Sequence, residues 1–568
     1  MKLPYGISDF NKLRTDRFLY VDKTAYIEKL EQLGSEYVFF IRPRRFGKSL
    51  FLSTLAHYYD INEAEQFERL FDGLYIGVNP TDRRNTYLVL ELDFSGMNTD
   101  SKEDLQASFK GKLRSQAIGF FHKYRTMFPN TAELTELIRE ASDVGAILDC
   151  VMQEVKKTDK KIYLIIDEYD HFANDIIAMG DGAFYKEIVR AAGFVRDFYE
   201  TVKIGTKSVI DKIFMTGVSP IMLDDMTSGF NISTNLTTHA AVNGMMGFTD
   251  EEVKGIVAAV TPKDMKSKET DETLMHELRS NYNGYLFNEY AEARMYNPDM
   301  VLYFLNHWLM TGQHPRQLID DNVKTDYGRL HRLISNANNR QVLVAVIKND
   351  GITADLVSKF SFDMMYDDKY FVSLLFYMGL LTIDRQEKMR LLLKVPNYVI
   401  RTIFWTFIEE RLHMEYQIVL DTEALRQSIE TMAFDGRIGP YVEYISENVL
   451  KPLSNRDLRE FDEKYIKVIL FAYLMNSRAY RPISERETES GFIDIYLEKD
   501  KRIPDVKYEW IIELKYIKKS ERSKLAEIKL QGLKQLDVYA ASRAFDGQSN
   551  VKKALILFVG KDETIVVE

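Results

Sequence analysis

The chain has 568 residues, of which 45% are hydrophobic and 28% are charged, and its formal net charge is −10 at pH 7. This length exceeds what one hydrophobic core supports, so several domains are expected, and the composition excludes a disordered, collagen-like or disulfide-built protein. The acidic balance argues against a protein that coats nucleic acid with its whole surface, and the single cysteine, Cys150, fits a reducing compartment.

Signals for membranes and secretion are not found in the sequence. The N-terminal residues contain no apolar stretch of the kind that a secretory signal has. Uncharged apolar runs stay below the roughly 18 residues that a membrane span needs, and the best candidate, residues 371–383, predicts a buried helix followed by a strand. We therefore expect a cytoplasmic protein with no membrane partner.

Four short apolar segments alternate with longer helical patterns in the first part of the chain. The helical patterns, such as residues 49–60 and 143–157, have apolar residues at intervals of three and four. This alternation predicts βαβ units around a parallel sheet, because strands buried on both faces are almost continuously apolar. The predicted strands are residues 37–41, 87–94, 161–168 and 212–219.

A glycine, a lysine and a serine follow the first predicted strand and begin a helix. Backbone N–H groups at such a helix start can bind phosphate oxygens, Lys48 can reach the β- and γ-phosphates, and the Ser49 hydroxyl can hold Mg²⁺. The usual loop has a first glycine five residues before Gly47, where this chain has Arg42. A surface turn into a helix has the same short pattern, so these residues alone leave both interpretations open.

Two adjacent carboxylates end the third predicted strand. Asp167 stands where a residue that holds the Mg²⁺ of a bound nucleotide is required, and Glu168 is placed to polarise the attacking water as a general base. A strand end that reaches solvent can carry the same residues. Together with the glycine–lysine–serine turn about 120 residues upstream, the pair predicts nucleotide binding and hydrolysis.

The pattern changes after residue 247. Thr249 and Glu252 form a capping box at the start of a helix, and helical patterns continue to about residue 400. Short β elements interrupt them at residues 379–383 and 390–395. A helical or winged-helix-like middle domain is therefore predicted.

The last part of the chain begins with helices and continues with strands. Helical patterns are predicted at residues 402–417, 425–434 and 456–475. A hairpin-like pair of strands, a helix and a closing strand are predicted at residues 491–498 and 508–517, 520–541 and 553–559.

Three residues of the predicted hairpin suit metal-assisted phosphodiester hydrolysis. Asp494 lies on the first strand, and Glu513 and Lys515 are two residues apart on the second, so they point to the same face. The carboxylates can bind one or two Mg²⁺ ions, and the lysine can orient or activate water. A half-exposed strand with an ordinary Glu–Lys pair is the alternative interpretation.

A set of motifs is spread over the chain, at residues 5–10, 20–24, 42–49, 92–95, 167–170, 214–220, 282–285 and 296–298. With the hairpin, these motifs resemble a bacterial family in which an AAA-ATPase-like domain is fused to a PD-(D/E)XK nuclease domain. In that family an arginine replaces the first loop glycine as a rule. The resemblance implies an α/β protein with a P-loop NTPase parallel sheet in residues 1–250, a helical/winged-helix-like domain in 251–400 and an α/β restriction-endonuclease-like domain in 401–568.

The resemblance also implies the ligands of the first domain. ATP and Mg²⁺ are the expected cofactors, with Ser49 and Asp167 on the metal. Ser219 would be a polar sensor near the γ-phosphate, although a turn or a helix N-cap explains it equally. The nucleotide-binding set is Arg45, Gly47, Lys48, Ser49, Asp167 and Ser219.

In the last domain the resemblance adds residues around the hairpin. Glu487 precedes the hairpin, and Gln535 and Tyr539 lie on the helix after it, where similar nucleases have accessory residues. Glu463 stands where such folds often have another carboxylate, although a solvated helix face explains it equally. The expected catalytic set is Asp494, Glu513, Lys515, Glu487 and Gln535, with Mg²⁺ or Mn²⁺ on Asp494 and Glu513.

The expected function is an ATP-binding and ATP-hydrolysing protein that cleaves nucleic acid, DNA or RNA, with the help of Mg²⁺. The alternative is a nucleotide-switched module that binds nucleic acid or protein without cleaving it. The complete set of Asp494, Glu513 and Lys515 favours the enzyme, because a decayed site would tolerate the loss of one of them. The resemblance also implies that the chain can assemble into homo-oligomers.

Overall fold

The computed structural model describes residues 2–179, 185–186, 188, 193–222, 231–262, 268–320, 336–453, 462–475, 478–545, 550–560 and 562–568. The chain forms two compact units. The first comprises Met1–Gly312, Gln317–Val342 and Gly351–Val399, and the second Gln313–Arg316, Leu343–Asp350 and Ile400–Glu568. The division into three domains stays a prediction. None of the helices in the described ranges is long and apolar enough to span a lipid bilayer.

A parallel sheet of five strands forms the centre of the first unit. Its strands are β1 (Tyr37–Ile41), β2 (Leu88–Asp93), β3 (Ile162–Asp167), β4 (Ile210–Gly217) and β5 (Thr234–Asn235). They lie in the order β2-β3-β4-β1-β5, and every neighbouring pair is parallel. β1 to β4 are the four predicted strands, with ends that differ by at most two residues. The inner residues of β1 and β3 are buried, which explains why these two strands lack polar–apolar alternation.

Helices connect these strands and continue into the middle of the chain. α3 packs on β2 and β3. The helices before residue 210 are α1 (Phe10–Thr15), α2 (Ala25–Gln32), α3 (Lys48–Tyr59), α4 (Phe67–Phe71), α5 (Tyr75–Val78), α6 (Lys102–Lys123), α7 (Thr131–Glu140), α8 (Val144–Lys156), α9 (His171–Met179) and α10 (Phe194–Gly205), with a 3₁₀ segment at Ile61–Gln66.

The middle of the chain is mainly helical, as predicted. The hydroxyl of Thr249 accepts from the N–H of Glu252, and the Glu252 carboxylate accepts from the N–H of Thr249, so the predicted capping box is confirmed. The helices are α11 (Asp250–Val260), α12 (Lys268–Tyr282), α13 (Pro298–Thr311), α14 (Ala337–Lys348) and α15 (Asp368–Tyr377). A small antiparallel sheet has the order β6-β8-β7, with β6 (Ile352–Ala354), β7 (Thr382–Glu387) and β8 (Arg390–Lys394).

A mixed five-stranded sheet forms the centre of the second unit. Its strands are β9 (Tyr480–Thr488), β10 (Gly491–Lys499), β11 (Glu509–Ile517), β12 (Val551–Val559) and β13 (Glu563–Val567), in the order β13-β12-β11-β10-β9. β11 and β12 are parallel, and the other pairs are antiparallel. The predicted hairpin is therefore confirmed as β10 and β11. The edge strands β9 and β13 were not predicted, because both are partly exposed and lack a continuous apolar run.

Helices cover both faces of the mixed sheet. Ile512 and Ile556 pack in one apolar cluster with residues of α16 to α19, and Ile511 and Leu555 pack in a second cluster with Leu536 of α20. The helices are α16 (Tyr398–Tyr416), α17 (Thr422–Glu430), α18 (Gly439–Ile445), α19 (Glu463–Leu474) and α20 (Leu525–Ala540), with π-helical turns at Thr431–Asp435 and Ser446–Leu450. Residues 456–461 of the predicted helix 456–475 lie outside the described residues. The predicted α/β class is confirmed.

Candidate functional site

The loop between β1 and α3 has two residues in the left-handed backbone region. Gly47, immediately before α3, has a φ of 89°, where any side chain would be strained. Arg45 has a φ of 67° although it carries a side chain. Such conformations persist where the surroundings impose them, as at ligand-binding turns. The Nζ of Lys48 turns back into this loop and donates to the carbonyls of Arg42 and Pro43 over 3.2 and 3.3 Å.

Ser49 and Asp167 meet across the edge of the parallel sheet. The Ser49 hydroxyl donates to Oδ2 of Asp167 over 2.6 Å. Burial raises the pKa of Asp167 to about 6, with a contribution from the charge of Glu168, while Ser49 and Lys48 act in the opposite direction. The two residues predicted to hold Mg²⁺ are therefore in contact.

Glu168 is held in a fixed position beside the loop. Its φ is 53°, and its carboxylate lies 3.7 Å from Nδ1 of His171, whose Nε2 lies 3.5 Å from Asp175. Burial alone would raise the pKa of Glu168, but His171 and the charges of Lys48 and Arg44 lower it to about 2. Glu168 is therefore ionised but only weakly basic in this state. Sequence reasoning missed His171, which no spacing rule singles out.

Ser219 lies in a buried polar group after β4. Its hydroxyl oxygen lies 3.0 Å from carboxylate and amide oxygens of Asp170 and Asn174, so its one proton serves one of them, and its N–H donates to Asp170 over 2.7 Å. Burial raises the pKa of Asp170. In this arrangement the Ser219 hydroxyl is turned to Asp170 and Asn174, and its role as a sensor stays a prediction.

Arg42 occupies the place of the usual loop glycine with a fully buried guanidinium, 1% exposed. The guanidinium lies between the rings of Phe40 and Phe287, 4.1 and 3.9 Å from their centroids. It donates to main-chain carbonyls of Ile41, Thr237, Val242 and Asn243. Burial lowers the pKa of Arg42 well below its ordinary value. Arg42 thus fastens the start of the loop to the segment after β5.

A cavity of about 430 Å³ opens beside the loop. This volume lies within the range of about 300 to 1,000 Å³ that is usual for small-molecule sites. Lys23, Glu168 and the polar residues among 44–49 contribute charged and hydroxyl groups to its wall. Residues 245–248 and apolar residues such as Ile7 and Leu302 also line it, so the cavity has both polar and apolar walls.

The start of α13 contacts the loop from the middle of the chain. The Asn297 side chain donates to the carbonyl of Arg44 over 3.3 Å, and Oδ2 of Asp299 lies 4.0 Å from the guanidinium of Arg45. Arg45, predicted to bind the nucleotide, is thus held near a carboxylate that the sequence did not single out, because Asp299 is more than 250 residues away in the chain.

The second group of predicted residues lies on β10 and β11. Lys515 Nζ lies 2.6 Å from Oε1 of Glu513 and 3.9 Å from Oδ2 of Asp494. Asp494 also accepts from the N–H of Leu514 over 2.9 Å. The two carboxylates and the lysine are therefore on one side of the sheet. We call Asp494, Glu513 and Lys515 the carboxylate site.

Glu513 has the most perturbed acidity of the carboxylate site. Its side chain is 2% exposed, and within the described residues its buried Oε2 has no hydrogen-bond partner. Burial, and then the negative charge of Asp494, raise its pKa to about 7, although Lys515 acts against this. A buried carboxylate oxygen left over in this way suits a hard cation such as Mg²⁺.

The accessory residues of this domain lie at different distances from the carboxylate site. Glu463, at the start of α19, accepts from the N–H of Tyr516 over 3.3 Å, and its pKa is raised by burial and by Asp494. The charges of the carboxylate site also act on Tyr539. Glu487 and Gln535 are exposed, and their proposed roles stay predictions.

Two protein families match separate parts of the chain. Residues 4–227 match a family described as "Predicted AAA-ATPase", and residues 461–568 match the PD-(D/E)XK nuclease superfamily. The chain combines an AAA-ATPase-like domain with a PD-(D/E)XK nuclease-superfamily domain. The resemblance recognised in the motifs is thereby confirmed. Ser49 and Asp167 fall in the AAA-ATPase-like domain, and the carboxylate site falls in the nuclease-superfamily domain.

Similar proteins include one curated relative and several solved structures. The curated relative, "Uncharacterized protein in vnfD 5'region" of Azotobacter chroococcum mcd 1, is 31% identical over 328 residues, which are 56% of this chain and 55% of that protein. This chain thus spans about half of the relative's length. Among solved structures, a Walker-type ATPase of Pyrococcus abyssi has 12% identity, covers 71% of this chain and 98% of its own and has a TM-score of 0.40. The ORC2 protein of Aeropyrum pernix in its ADPNP–ADP complexes has 13% identity, covers 68% and 93%, and has a TM-score of 0.32.

Proposed function

We propose that the protein is an ATP-binding and ATP-hydrolysing enzyme whose nuclease-superfamily domain cleaves phosphodiester bonds of nucleic acid with Mg²⁺ or Mn²⁺. The observation that carries the nuclease part is the buried Glu513 carboxylate, which lies beside Asp494 and Lys515 and has one oxygen without a hydrogen-bond partner in the described residues. Packing alone gives no reason for this arrangement, because a buried carboxylate oxygen without a hydrogen-bond partner costs stability.

The residues of the carboxylate site suit a small hard cation. No group of three or more His, Cys, Asp and Glu side chains in the described residues is arranged to hold a metal ion. Mg²⁺ does not need such a group, since it is commonly bound by one or two carboxylates, water and substrate phosphate. Asp494 and Glu513 would hold the ion, which when bound would supply charge stabilisation and an activated water.

The protein's own groups have distinct parts in this proposal. Lys515 donates to Glu513 and keeps its positive charge near both carboxylates. It is placed to orient a water or to offset the charge that develops on the phosphate. The N–H of Leu514 fixes Asp494 by donating to its Oδ2.

Cleavage of labelled DNA and RNA oligonucleotides by the full-length protein tests the nuclease part. We expect cleavage with Mg²⁺ or Mn²⁺, and loss of cleavage in Lys515→Ala and Glu513→Gln. Lys553 is an exposed lysine on β12 of the same sheet, and it pairs with Asp537. The variant Lys553→Ala should cleave like the wild type. Cleavage that persists in Lys515→Ala would refute the assignment of this site.

The alternative function is a nucleotide-switched module that binds nucleic acid or protein without cleaving it. The absence of a third ligand group in the described part of the carboxylate site favours this alternative. It predicts oligonucleotide binding with no product under any divalent ion. The same assay therefore separates the two functions.

The nucleotide part is supported by the cavity beside the loop and by the contact of Ser49 with Asp167. Lys48 donates to loop carbonyls that a phosphate group would replace. Binding of ATP, measured by calorimetry, should be lost in Lys48→Ala and retained in Lys254→Ala, an exposed lysine of α11. Undiminished binding in Lys48→Ala would contradict the proposal. A cytoplasmic location and assembly into homo-oligomers stay predictions.

A further inference from the structure

A second lysine, Lys467, borders the carboxylate site. It lies on α19 four residues after Glu463, so the two side chains share one face of the helix. The Glu463 carboxylate binds the N–H of Tyr516 on β11, one residue after Lys515. Burial raises the pKa of Glu463, and the charge of Lys467 acts against that rise. Lys467 is therefore close to the carboxylates without belonging to the predicted motif.

Glu485, on the edge strand β9, holds Lys467 in an ion pair. The pairing of β9 with β10 is interrupted at Glu485, directly across from Asp494, and resumes on either side. Glu485 has a φ of 52°, a conformation that a glutamate adopts only when its surroundings require it. The charge of Glu485 acts on Tyr539, as do those of Asp494 and Glu513. The irregular strand thus has Glu485 at the position opposite Asp494, and the Glu485 carboxylate pairs with Lys467.

The charges around the site make Lys467 important for a negatively charged ligand. The contacts around the site involve four carboxylates, those of Glu463, Glu485, Asp494 and Glu513, and two lysines, Lys467 and Lys515. When all four carboxylates are ionised, two negative charges are left over, which one divalent cation would neutralise but which would repel a phosphodiester in its absence. A positive group that can turn to the phosphate is therefore needed.

Of the two lysines, Lys467 forms the ion pair with the more exposed carboxylate. Lys515 donates to the buried Glu513, whose side chain is 2% exposed, whereas the partner of Lys467 is 47% exposed. The side chain of Lys467 is itself 13% exposed, but an ion pair with one half-solvated partner contributes less free energy than one with a buried partner, so Lys467 leaves Glu485 at a smaller cost than Lys515 would leave Glu513.

We propose that Lys467 is a phosphate-binding residue of the carboxylate site, which exchanges its ion pair with Glu485 for a non-bridging phosphate oxygen of bound nucleic acid. The assignment rests on the proposed nuclease function and adds to it the group that receives the substrate. Glu485 then competes with the phosphate for Lys467 and forms the ion pair with it when no nucleic acid is bound.

Two variants of this pair should have opposite effects on binding. Lys467→Met keeps most of the side-chain length and removes the charge, and Glu485→Gln keeps the side chain and releases the lysine. Lys451→Met is the matched control, because Lys451 is also a lysine in an ion pair with a glutamate, Glu447. The π-helical turn before it is bonded through Ser446 to Thr564 on β13, the opposite edge of the sheet.

Binding is measured by fluorescence anisotropy of labelled DNA and RNA oligonucleotides with the full-length protein, with Ca²⁺ in place of Mg²⁺ and over a range of salt concentrations. Lys467→Met should weaken binding about tenfold, the loss of one charge-assisted hydrogen bond. The slope of log affinity against log salt should become shallower by about 0.7 to 0.9, the value for one phosphate contact. Glu485→Gln should tighten binding, and Lys451→Met should bind like the wild type.

The outcomes separate the two proposals. Unchanged binding in Lys467→Met, or effects of the same sign in both variants, would overturn the assignment of Lys467 while the wild type still cleaves. A wild-type protein that binds no oligonucleotide would overturn the proposed function, and the assignment with it. If Lys467→Met does not fold, as judged by its thermal unfolding, weaker or unchanged binding in Glu485→Gln overturns the assignment and tighter binding supports it.

Discussion

Ser49 and Asp167 are separated by 118 residues in the chain, yet the serine hydroxyl donates to the aspartate carboxylate over 2.6 Å. The parallel arrangement of β1 and β3 around β4 explains this, because the loop after each strand then emerges at the same edge of the sheet. In this hydrogen bond, the two oxygen atoms that are predicted to bind Mg²⁺ contact each other. A Mg²⁺ ion that arrives with a nucleotide would have to insert between them.

The first prediction concerns this pair. Ser49→Ala should reduce the Mg²⁺-dependent part of ATP affinity by about tenfold or more, as expected when one ligand of a bound ion is lost. The affinity measured in EDTA should change little, because the backbone N–H groups and Lys48 remain. Calorimetric titration of ATP with Mg²⁺ and with EDTA measures the two parts.

Ser53→Ala is the control for that substitution. Ser53 lies one turn further along α3, and its hydroxyl accepts from the N–H of Phe10 over 3.0 Å. Its loss should lower the free energy of unfolding by about 1 kcal/mol without changing the Mg²⁺ dependence. A Mg²⁺ dependence that is unaltered in Ser49→Ala would show that this hydroxyl does not touch the ion.

The second prediction compares two arginines of the same loop. Arg42→Gly restores the usual glycine, but it removes the guanidinium from four carbonyls and leaves a void between Phe40 and Phe287. We expect it to lower the free energy of unfolding by about 3 kcal/mol or more, as for other losses of a buried polar network. Arg45→Gly should leave the stability unchanged or raise it slightly, because glycine accepts the φ of 67° without strain.

Thermal unfolding of the two variants and the wild type tests this comparison. Equal melting temperatures for Arg42→Gly and the wild type would show that the buried guanidinium is not needed for the loop. ATP titration of Arg45→Gly then reports its contribution to binding separately from stability.

Much of this architecture was predictable because local patterns determine it. The strands β1 and β3 are almost continuously apolar, and Thr249 with Glu252 fulfils both bonds of a capping box. The spacing of Glu513 and Lys515 on β11 is enough to predict that both side chains lie on one face, because side chains alternate along a strand. These features depend on neighbours within a few residues.

The features that the sequence did not reveal depend on distant parts of the chain. Glu485 has a positive φ where the pairing with β10 is interrupted opposite Asp494, and a glutamate in the motif 484–487 gives no sign of it. Asp299 reaches Arg45 only because α13 begins beside the loop. His171 follows Glu168 by three residues, and its ion pair with Glu168 lies at a turn where Glu168 has a positive φ.

The third prediction concerns His171. Its ion pair with Glu168, 3.7 Å away, raises its pKa, with a further contribution from Asp175. A histidine whose folded-state pKa is raised stabilises the protein below the unfolded pKa of about 6.5 and loses this contribution as the pH rises through the folded value. His171→Gln should therefore lower the melting temperature more at pH 6 than at pH 9.

His122→Gln is the matched control, because His122 is an exposed residue of α6. It should leave the melting temperature close to that of the wild type at both pH values. A His171→Gln effect that is equal at both values would mean that the ring contributes by packing and not by its charge.

The last prediction concerns the stability of the metal-free carboxylate site. The pKa of Glu513 is raised from its ordinary value of 4.5 to about 7 by burial and by Asp494. Between these two values Glu513 binds more protons in the folded protein than in the unfolded chain, so its contribution to stability is fully present below about pH 4.5 and is lost as the pH rises through about 7. The full effect is about 3 kcal/mol, since a tenfold change in proton affinity corresponds to about 1.4 kcal/mol.

Glu513→Gln should remove this dependence, because an amide does not ionise. In EDTA, the melting temperature of Glu513→Gln should exceed that of the wild type by more at pH 8 than at pH 5. In a separate assay with Mg²⁺, the variant should not cleave at either pH. Mg²⁺ should stabilise the wild type more at pH 8 than at pH 5, since protonated Glu513 is a poor ligand. In Glu513→Gln the stabilisation by Mg²⁺ should not differ between the two pH values. If Mg²⁺ raises the melting temperature of Glu513→Gln as much as that of the wild type, with the same pH dependence, the ion binds elsewhere. The raised pKa of Glu513 would then be unrelated to metal binding.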